Sequence, residues 1–421
     1  MLSAINLPGY EITEVIDEGL NTIIYRGVSQ LHKQNVILKV LAAEYPTLEQ
    51  IARLKHEYIL TENLDLEGIV KVLQLENYSY RLILVLQDFG GISLTKFLCS
   101  RKISIEYFAS VAVQLVKALV SLHSHHIIHK DIKPSNIIIN PQSGQVKITD
   151  FSIASRLDRE TAQLTNPNQI EGTLAYMSPE QTGRMNRVVD YRSDFYSLGV
   201  TFYEILSGQL PFTSSDPLEI IYCHLARQPK PIQELNSEVP APIAAIVTKL
   251  MAKNAEDRYQ TAVGLLADLE FCLDHIENLG QMGELTQFIP GNKDCAAQLL
   301  IPQKLYGREQ EISTLLAAFD RVNQSHSDTE GYARRAEIIL VSGYSGIGKS
   351  SLVAEVHKPI VQRKGYFISG KFDQLGRNIP YASLIQAFQS LMRQLLSESA
   401  DKLQNWQEKL LAALGANGQV I

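Results

Sequence analysis

Along the first hundred residues the apolar positions alternate or run in short blocks, the signature of strands rather than helices. Tyr10–Ile16, Thr22–Gln30 and Asn35–Leu41 are rich in Ile, Val, Leu and Tyr and are separated by turn residues, and the third is an apolar run interrupted only by Lys39. Leu48–Asn63 switches to helical spacing, and Arg81–Phe89 returns to the pattern of a buried strand. Past Gly90–Gly91 the period changes for good. Phe108, Val111, Ala112, Leu115, Leu119 and Leu122 recur at three- and four-residue steps on one helical face. The same period predicts helices over Tyr191–Ser207, Pro217–Ala226, Pro242–Met251 and Thr261–Ile276. A small β-rich lobe ahead of a larger helical lobe is the expected arrangement.

From Glu277 to Lys304 the periodicity dissolves into Gly, Gln, Asn and Pro, the composition of a linker. Arg308–Val322 reads as a helix, Asn323–Ala336 as a polar loop and Glu337–Ser342 as a strand that leads into a glycine-rich turn and another helix. That order opens an α/β unit. No internal repeat or low-complexity tract interrupts the chain.

Composition narrows the class of protein. The 421 residues, 45% of them apolar and 20% charged, suit a globular chain of two or three domains. Lys and Arg number 39 against 45 Asp and Glu, a net charge of −6, which argues against nucleic acid or an anionic membrane as the partner of the whole chain. Arg334–Arg335 and Arg363–Lys364 are small enough to be solvated surface. Cys99, Cys223, Cys272 and Cys295 form no CxxC pair and read as reduced thiols. The apolar stretch around Phe108–Leu122 carries Gln114 and Lys117, so it reads as a buried helix and not a membrane span. The N-terminus lacks a basic and apolar leader, and a cytoplasmic location is expected.

An ordered set of polar residues lies inside the apolar frame: Gly19 in a turn between strands, Lys39 in a buried strand, Glu57 on the next helix, Asp131, Lys133 and Asn136 in IIHKDIKPSN, Asp150 in VKITDFS and Glu180 in SPE. Taken singly each has a bland explanation, such as a hairpin glycine, a snorkelling lysine or Asx residues closing turns. Together they suit phosphoryl transfer, which needs dense negative charge to be held still and neutralised. A lysine in an apolar strand demands negative partners, which phosphates and Glu57 would supply. Asn136 and Asp150 offer hard oxygens for Mg²⁺. Asp131 can take a hydroxyl proton, and Lys133 can sit against the transferring phosphate.

On these motifs, HxDxKPxN, DFx, PE and SDFYSLG in this order, the segment from about Leu7 to Leu273 resembles a eukaryotic-type serine/threonine protein kinase domain. The resemblance implies the α+β bilobal protein-kinase fold over 7–275 and a linker over 276–304. It implies that Lys39 pairs with Glu57 and the α/β-phosphates of ATP, that Asp131 is the catalytic base assisted by Lys133, and that Asn136 and Asp150 hold Mg²⁺. Ile16, Gly19 and Ile24 would cover the nucleotide, and Leu86 to Phe89, with Gln87 and Asp88, would form the hinge against adenine. Glu180 and Arg258 would form a buried ion pair, and His129 and Asp194 would serve structure. Lys133 and Gly172–Thr173 point to serine/threonine rather than tyrosine substrates. The family's loop has three glycines, whereas here Asp17, Gly19 and Thr22 stand at those positions. Weaker ATP binding without its loss is expected. HRD is HKD, and Lys130 lacks arginine's fork for a loop phosphate. DFG is DFS, with Ser152 after Phe151. Thr161, Thr165 and Thr173 fall in the implied activation segment.

The second constellation is Gly343-Tyr-Ser-Gly346-Ile-Gly348-Lys349-Ser350, which satisfies GxxxxGK[ST] between the expected strand and helix. Its backbone N–H groups would cradle phosphates, Lys349 would reach the β/γ-phosphates and Ser350 would ligate Mg²⁺. LYGREQEISTLLAAF and SGKFDQ nearby resemble signalling ATPases of the AAA/STAND type, so residues 305–421 are expected to be a partial α/β P-loop NTPase domain. Asp373 is a poor candidate for the second acidic residue that hydrolysis requires, and binding is expected over turnover. The whole resembles the N-terminal part of kinase/ATPase/sensor histidine kinase fusions, with further signalling modules expected downstream. Three functions follow: an active serine/threonine kinase with an ATP-binding regulatory module, a pseudokinase scaffold, or a nucleotide switch run by the P-loop domain.

Overall fold

The computed structural model describes residues 7–78, 81–156, 172–183, 187–279, 288–295, 307–324, 336–344, 346–356, 359–360, 365–372, 381–396 and 400–415. The small lobe is a five-stranded antiparallel sheet in the order β1-β2-β3-β5-β4, formed by Tyr10–Glu18, Thr22–Ser29, Asn35–Leu41, Val72–Tyr78 (β4) and Arg81–Gln87 (β5). Strand β3 explains how a charge reaches the cleft. Val36, Leu38 and Val40 point to one face and join Tyr10, Tyr25, Ile83 and Val85 in a buried cluster. Ile37, Lys39 and Leu41 occupy the other face, where Leu41 packs with Leu54, Leu84 and Leu86. A one-residue slip would send Lys39 into the wrong core.

Helix α1 (Leu48–Thr61) lies against β4 and β5. A capping box fixes its start, with Thr47 and Gln50 each bonding the other's backbone. Leu54, Glu57, Leu60 and Thr61 form its buried face, so Glu57 enters the core on helical spacing. Strand β4 is absent from the sequence reading, because Gln74 and Glu76 break its apolar run and it depends on pairing with β5. The other helix and strand bounds predicted up to Ile276 fall within a few residues of those observed.

The large lobe is built on α3 (Ile105–Ser124), which packs against α4 (Arg192–Ser207) and α7 (Ala262–Leu279). Among the described residues α3 alone is long and apolar enough to cross a membrane, and here Phe108, Ala112, Leu115, Leu119 and Leu122 lie in the lobe's core. Between these helices stand α2 (Leu94–Ser100), α5 (Pro217–Ala226), α6 (Ala241–Leu250) and two short ladders, Ile92–Ser93 with Ile137–Ile139 and Val146–Ile148, and Ile127–Ile128 with Ser155–Arg156. The four cysteines are free thiols, Cys223 and Cys272 of them buried.

The linker differs from expectation. Helix α7 runs on to Leu279, and residues 288–295 lie back against it, while 280–287 and 296–306 are outside the described residues. Beyond it come α8 (Glu309–Gln324), α9 (Lys349–Ala354), α10 (Ala382–Leu396) and α11 (Ala400–Leu414). The expected strand over Glu337–Ser342 is not one here: it forms no ladder with any described residue, although Arg321 ion-pairs with Glu337, and Ile338 and Leu340 are each 90% exposed. A strand buried on both faces exists only between neighbours in a parallel sheet. Most of the expected loop 323–336, both small basic clusters, and Thr161, Thr165 and Asp373 lie outside the described residues.

Candidate active site

The fold brings residues from six segments into one cleft. Lys39 Nζ donates to Glu57 Oε2 at 2.7 Å and to Asp150 Oδ1 at 2.9 Å, and the Phe151 amide donates to Glu57 Oε1 at 3.2 Å. One lysine thus bridges the sheet, α1 and the segment after Val146–Ile148. Burial works against the Lys39 cation, but Asp150 and Glu57 outweigh it and hold the ammonium above its ordinary range. Burial likewise pushes Asp150 up, and Lys39 overrides it to keep the carboxyl well below the usual range. Burial dominates at Glu57 and raises it, despite Lys39. With all three ionised the cluster carries one net negative charge (+1 − 1 − 1), a setting for a further cation. A cavity of about 470 Å³ opens here between Asn21, Thr22, Lys39, Glu57, Asp150 and Ser152.

The loop after Ile127–Ile128 supplies the second half. Asp131 Oδ2 sits 2.6 Å from Lys133 Nζ, and Oδ1 accepts the Thr173 amide at 3.0 Å. Lys133 also donates to Thr173 Oγ1 at 2.5 Å. Asn136 Nδ2 donates to the Asp131 backbone oxygen at 2.9 Å and to Oδ2 at 3.0 Å, which turns its carbonyl oxygen away from Asp131. Oxygens from Asn136 and Asp150 match the donor chemistry of Mg²⁺.

This loop is braced from behind. Asp194, in the first turn of α4 and fully buried, accepts the His129 amide at 3.0 Å and the Lys130 amide at 2.8 Å. Lys130 has φ 69° and Asp150 φ 68°, left-handed conformations uncommon for side-chain-bearing residues and held here by those surrounding bonds. His129 packs edge-on to Phe151 and pairs with the Thr149 oxygen at 3.0 Å, a structural post as expected. Arg258 binds Glu180 through both nitrogens at 2.7 and 2.9 Å. Burial pushes Glu180 up, but Arg258 prevails and brings it down to about 2.

Over the cleft, the β1–β2 turn closes by Gly19 N–H to Thr22 O at 2.9 Å. Neither Asp17 nor Thr22 has a positive φ, so glycine's backbone freedom is not needed there in this conformation. Ile16 and Ile24 are half-buried. The sequence reading missed the turn's anchors: Asn21 accepts Gln50 Nε2 at 2.9 Å and the Ala42 amide at 2.9 Å. It also missed Lys96 of α2, which donates to the Ile16 carbonyl across the cleft mouth. The Thr47/Gln50 capping pair was the one available signal for the first. At the hinge, Asp88 accepts Arg26 Nε and the Gly90 amide, each at 2.8 Å, and the Phe89 carbonyl accepts Asn140 Nδ2 at 2.5 Å. The Gln87 amide donates to Lys71 O at 2.9 Å.

The P-loop residues gather separately. Gly346 (φ 82°) and Gly348 (φ 92°) make the left-handed bends, and α9 begins at Lys349. Lys349 Nζ donates to Gly343 O at 2.8 Å and Tyr344 O at 2.7 Å. Ser350 is exposed beside it.

Two lobes around a cleft with this lysine–glutamate–aspartate bridge and a braced catalytic loop define a phosphotransferase architecture. The chain belongs to the protein kinase domain family, whose family model matches residues 10–268, and an AAA ATPase domain follows, matched over residues 304–420. A "hybrid signal transduction histidine kinase G" of Dictyostelium discoideum is 32% identical over 403 residues, covering 76% of this chain and 11% of that protein. A probable serine/threonine-protein kinase of Clostridium perfringens is 31% identical over 263 residues, covering 62% of this chain and 38% of its own length. The serine/threonine-protein kinase PrkC of Bacillus subtilis is 29% identical over 293 residues, covering 68% and 44%. The chain therefore spans less than half the length of each of these relatives.

Proposed function

We propose that this chain is a serine/threonine protein kinase that moves the ATP γ-phosphoryl group to a protein hydroxyl, with the AAA domain as an ATP-binding regulatory module in cytoplasmic signal transduction. The observation that carries the reading is the three-way bridge of Lys39 to Glu57 and Asp150, set beside the Asp131–Lys133–Thr173 cluster. Adenine would lie against the hinge at Gln87, Asp88 and Phe89, under Ile16 and Ile24. Lys39, fixed by Glu57, would exchange its bond to Asp150 for the α/β-phosphates, which frees that carboxylate. Asp150 and the Asn136 carbonyl oxygen would then hold Mg²⁺, which neutralises phosphate charge when bound.

The substrate hydroxyl donates its proton to Asp131 as its oxygen bonds to the γ-phosphorus. The bond to the β–γ bridging oxygen breaks, and its electron pair leaves with ADP. Lys133, anchored on Asp131 and Thr173, stabilises the charge spread over the transferring group. In the P-loop, Lys349 would trade the Gly343 and Tyr344 carbonyls for phosphate oxygens, with Ser350 toward the metal and Gly343, Gly346 and Gly348 framing the turn. Four free thiols suit a reducing compartment.

The test is transfer of label from γ-labelled ATP to a generic protein substrate, wild type against Asp131→Asn. Loss of the base is expected to cut kcat by about 10²–10⁴-fold with ATP affinity nearly unchanged. Transfer that is undetectable in wild type, or indifferent to the substitution, would overturn the assignment and favour a scaffold.

A further inference from the structure

The stretch between the two domains holds a structured knot where the sequence suggests only linker. Phe288 stacks on Phe271 of α7, with ring centroids 5.9 Å apart and planes within 13°, and packs against the large-lobe core. Three residues on, Gly291 turns with φ 79°, and its amide donates to Asp268 Oδ2 at 2.6 Å, the same oxygen that accepts Tyr259 OH at 2.6 Å. Three residues further, Asp294 Oδ1 accepts the Thr261 hydroxyl at 2.7 Å, and its Oδ2 accepts the Gln260 amide. Thr261 is in turn the local cap of α7, accepting the Gly264 amide at 2.9 Å.

The receiving surface is shaped for this segment. A Cβ on Gly264 would lie 2.4 Å from Asp294 Oδ1 and 2.6 Å from its Cβ, and a Cβ on Gly291 would lie 2.7 Å from Lys249 Cε. A Cβ at Gly264 thus has no room beside Asp294, while Gly291 is held to glycine by its positive φ, since the tip of the flexible Lys249 side chain could move aside. We infer that the first turn and one face of α7 form a docking groove for a Phe-x-x-Gly-x-x-Asp segment, Phe288 to Asp294 of this same chain. The segment acts as a clasp that tethers the interdomain connection to the kinase unit.

The clasp also braces the turn that it caps. Gln260 Oε1 accepts Arg192 Nη1 at 2.9 Å, and its backbone oxygen accepts Tyr191 OH at 2.9 Å. Those residues lead into α4, whose Asp194 holds the catalytic loop. The kinase unit, by this inference, is completed by Asp294 and not by the end of α7.

Hydrogen exchange on the full chain tests this without any reference to catalysis. Asp294→Ala is expected to speed exchange in the peptide spanning residues 258–266 by about tenfold, the scale of a lost helix cap. Asp294→Asn keeps a single acceptor oxygen, enough for the Gln260 amide or the Thr261 hydroxyl but not both, so its exchange should fall between wild type and Asp294→Ala. Gly264→Ala keeps the aspartate at 294 but puts a methyl where its carboxylate sits, so it should reproduce the Asp294→Ala change, and the double variant should add nothing further. Unchanged exchange in residues 258–266, full additivity of the two substitutions, or an equal rise throughout α3 that signals global loosening would each overturn the clasp.

Discussion

The kinase cleft and the P-loop both place a lysine where phosphates would go, yet they hold it in opposite ways. Lys39 is 7% exposed and takes partners from α1 and from a segment 111 residues away. Lys349 bonds carbonyls five and six residues back in its own turn. The first arrangement exists only if the lobe is folded. The second needs no more than a local bend, and the apolar segment ahead of it makes no ladder with any described residue, Ile338 and Leu340 lying exposed. A binding site can therefore be assembled by tertiary structure or carried by a loop, and the two should respond differently to mutation.

The largest effect expected on stability lies in the cleft's foundation. Glu180→Gln removes the opposite charge from the buried Arg258 guanidinium, which then faces only neutral acceptors such as the Ala252, Arg192 and Lys253 carbonyls, a loss of about 3–5 kcal/mol read by urea unfolding. The acid limb gives an independent check. Glu180 falls from 4.5 in the unfolded chain to about 2 in the fold. A carboxyl so depressed contributes stability that is complete above the unfolded value and is lost as pH falls from about 4.5 to about 2. Wild type should lose stability through that window, and the variant should show a shallower slope there. A variant as stable as wild type would break the claim that the cleft rests on tertiary interlocking.

The complementary prediction concerns Lys349→Ala. Only local carbonyls lose a donor, so stability should move by no more than about 0.5 kcal/mol. Nucleotide affinity at this site should fall by about 10–100-fold, the scale of a lost charge-assisted contact. Calorimetric titration with ATP should then show one tight site where wild type shows two. A large unfolding penalty would mean that the P-loop lysine is knitted into the domain after all.

The same distinction governs what the sequence disclosed. Lys39, Asp131, Asn136 and Asp150 were legible because their chemistry is costly in an apolar setting and because their order is specific. Glu57 and Glu180 came with them. Strand β4 stayed hidden, since Leu73-Gln74-Leu75-Glu76 alternates for only four residues, the register shifts between Val72 and Gln74, and only β5 makes it a strand. Glu337–Ser342 erred the other way: its apolar run has strand chemistry, but a ladder needs a neighbour that the run itself does not encode. Asn21, Gln50 and Lys96 are ordinary surface residues one by one, and only their convergence on the β1–β2 turn gives them a role. The Phe288–Asp294 clasp was lost in Gly/Pro/Asn composition, because its partners lie on α7 and in the turn before it, more than fifteen residues upstream.

The turn over the cleft sharpens the comparison at its fine end. Asp17 stands where the family has its first glycine, exposed and paired across the hairpin with Ile24, and it places a negative charge near any bound polyphosphate. Its φ is not positive, so Asp17→Gly would relieve charge rather than strain. An exposed charge is worth about 0.3–1 kcal/mol, which predicts a KM for ATP lower by up to about fivefold with kcat little changed. The gain should shrink as salt rises, because screening already weakens the same repulsion. An equal gain at high salt would assign it to backbone freedom instead, and the turn would then behave like the P-loop, a flexible bend that forms around its phosphates.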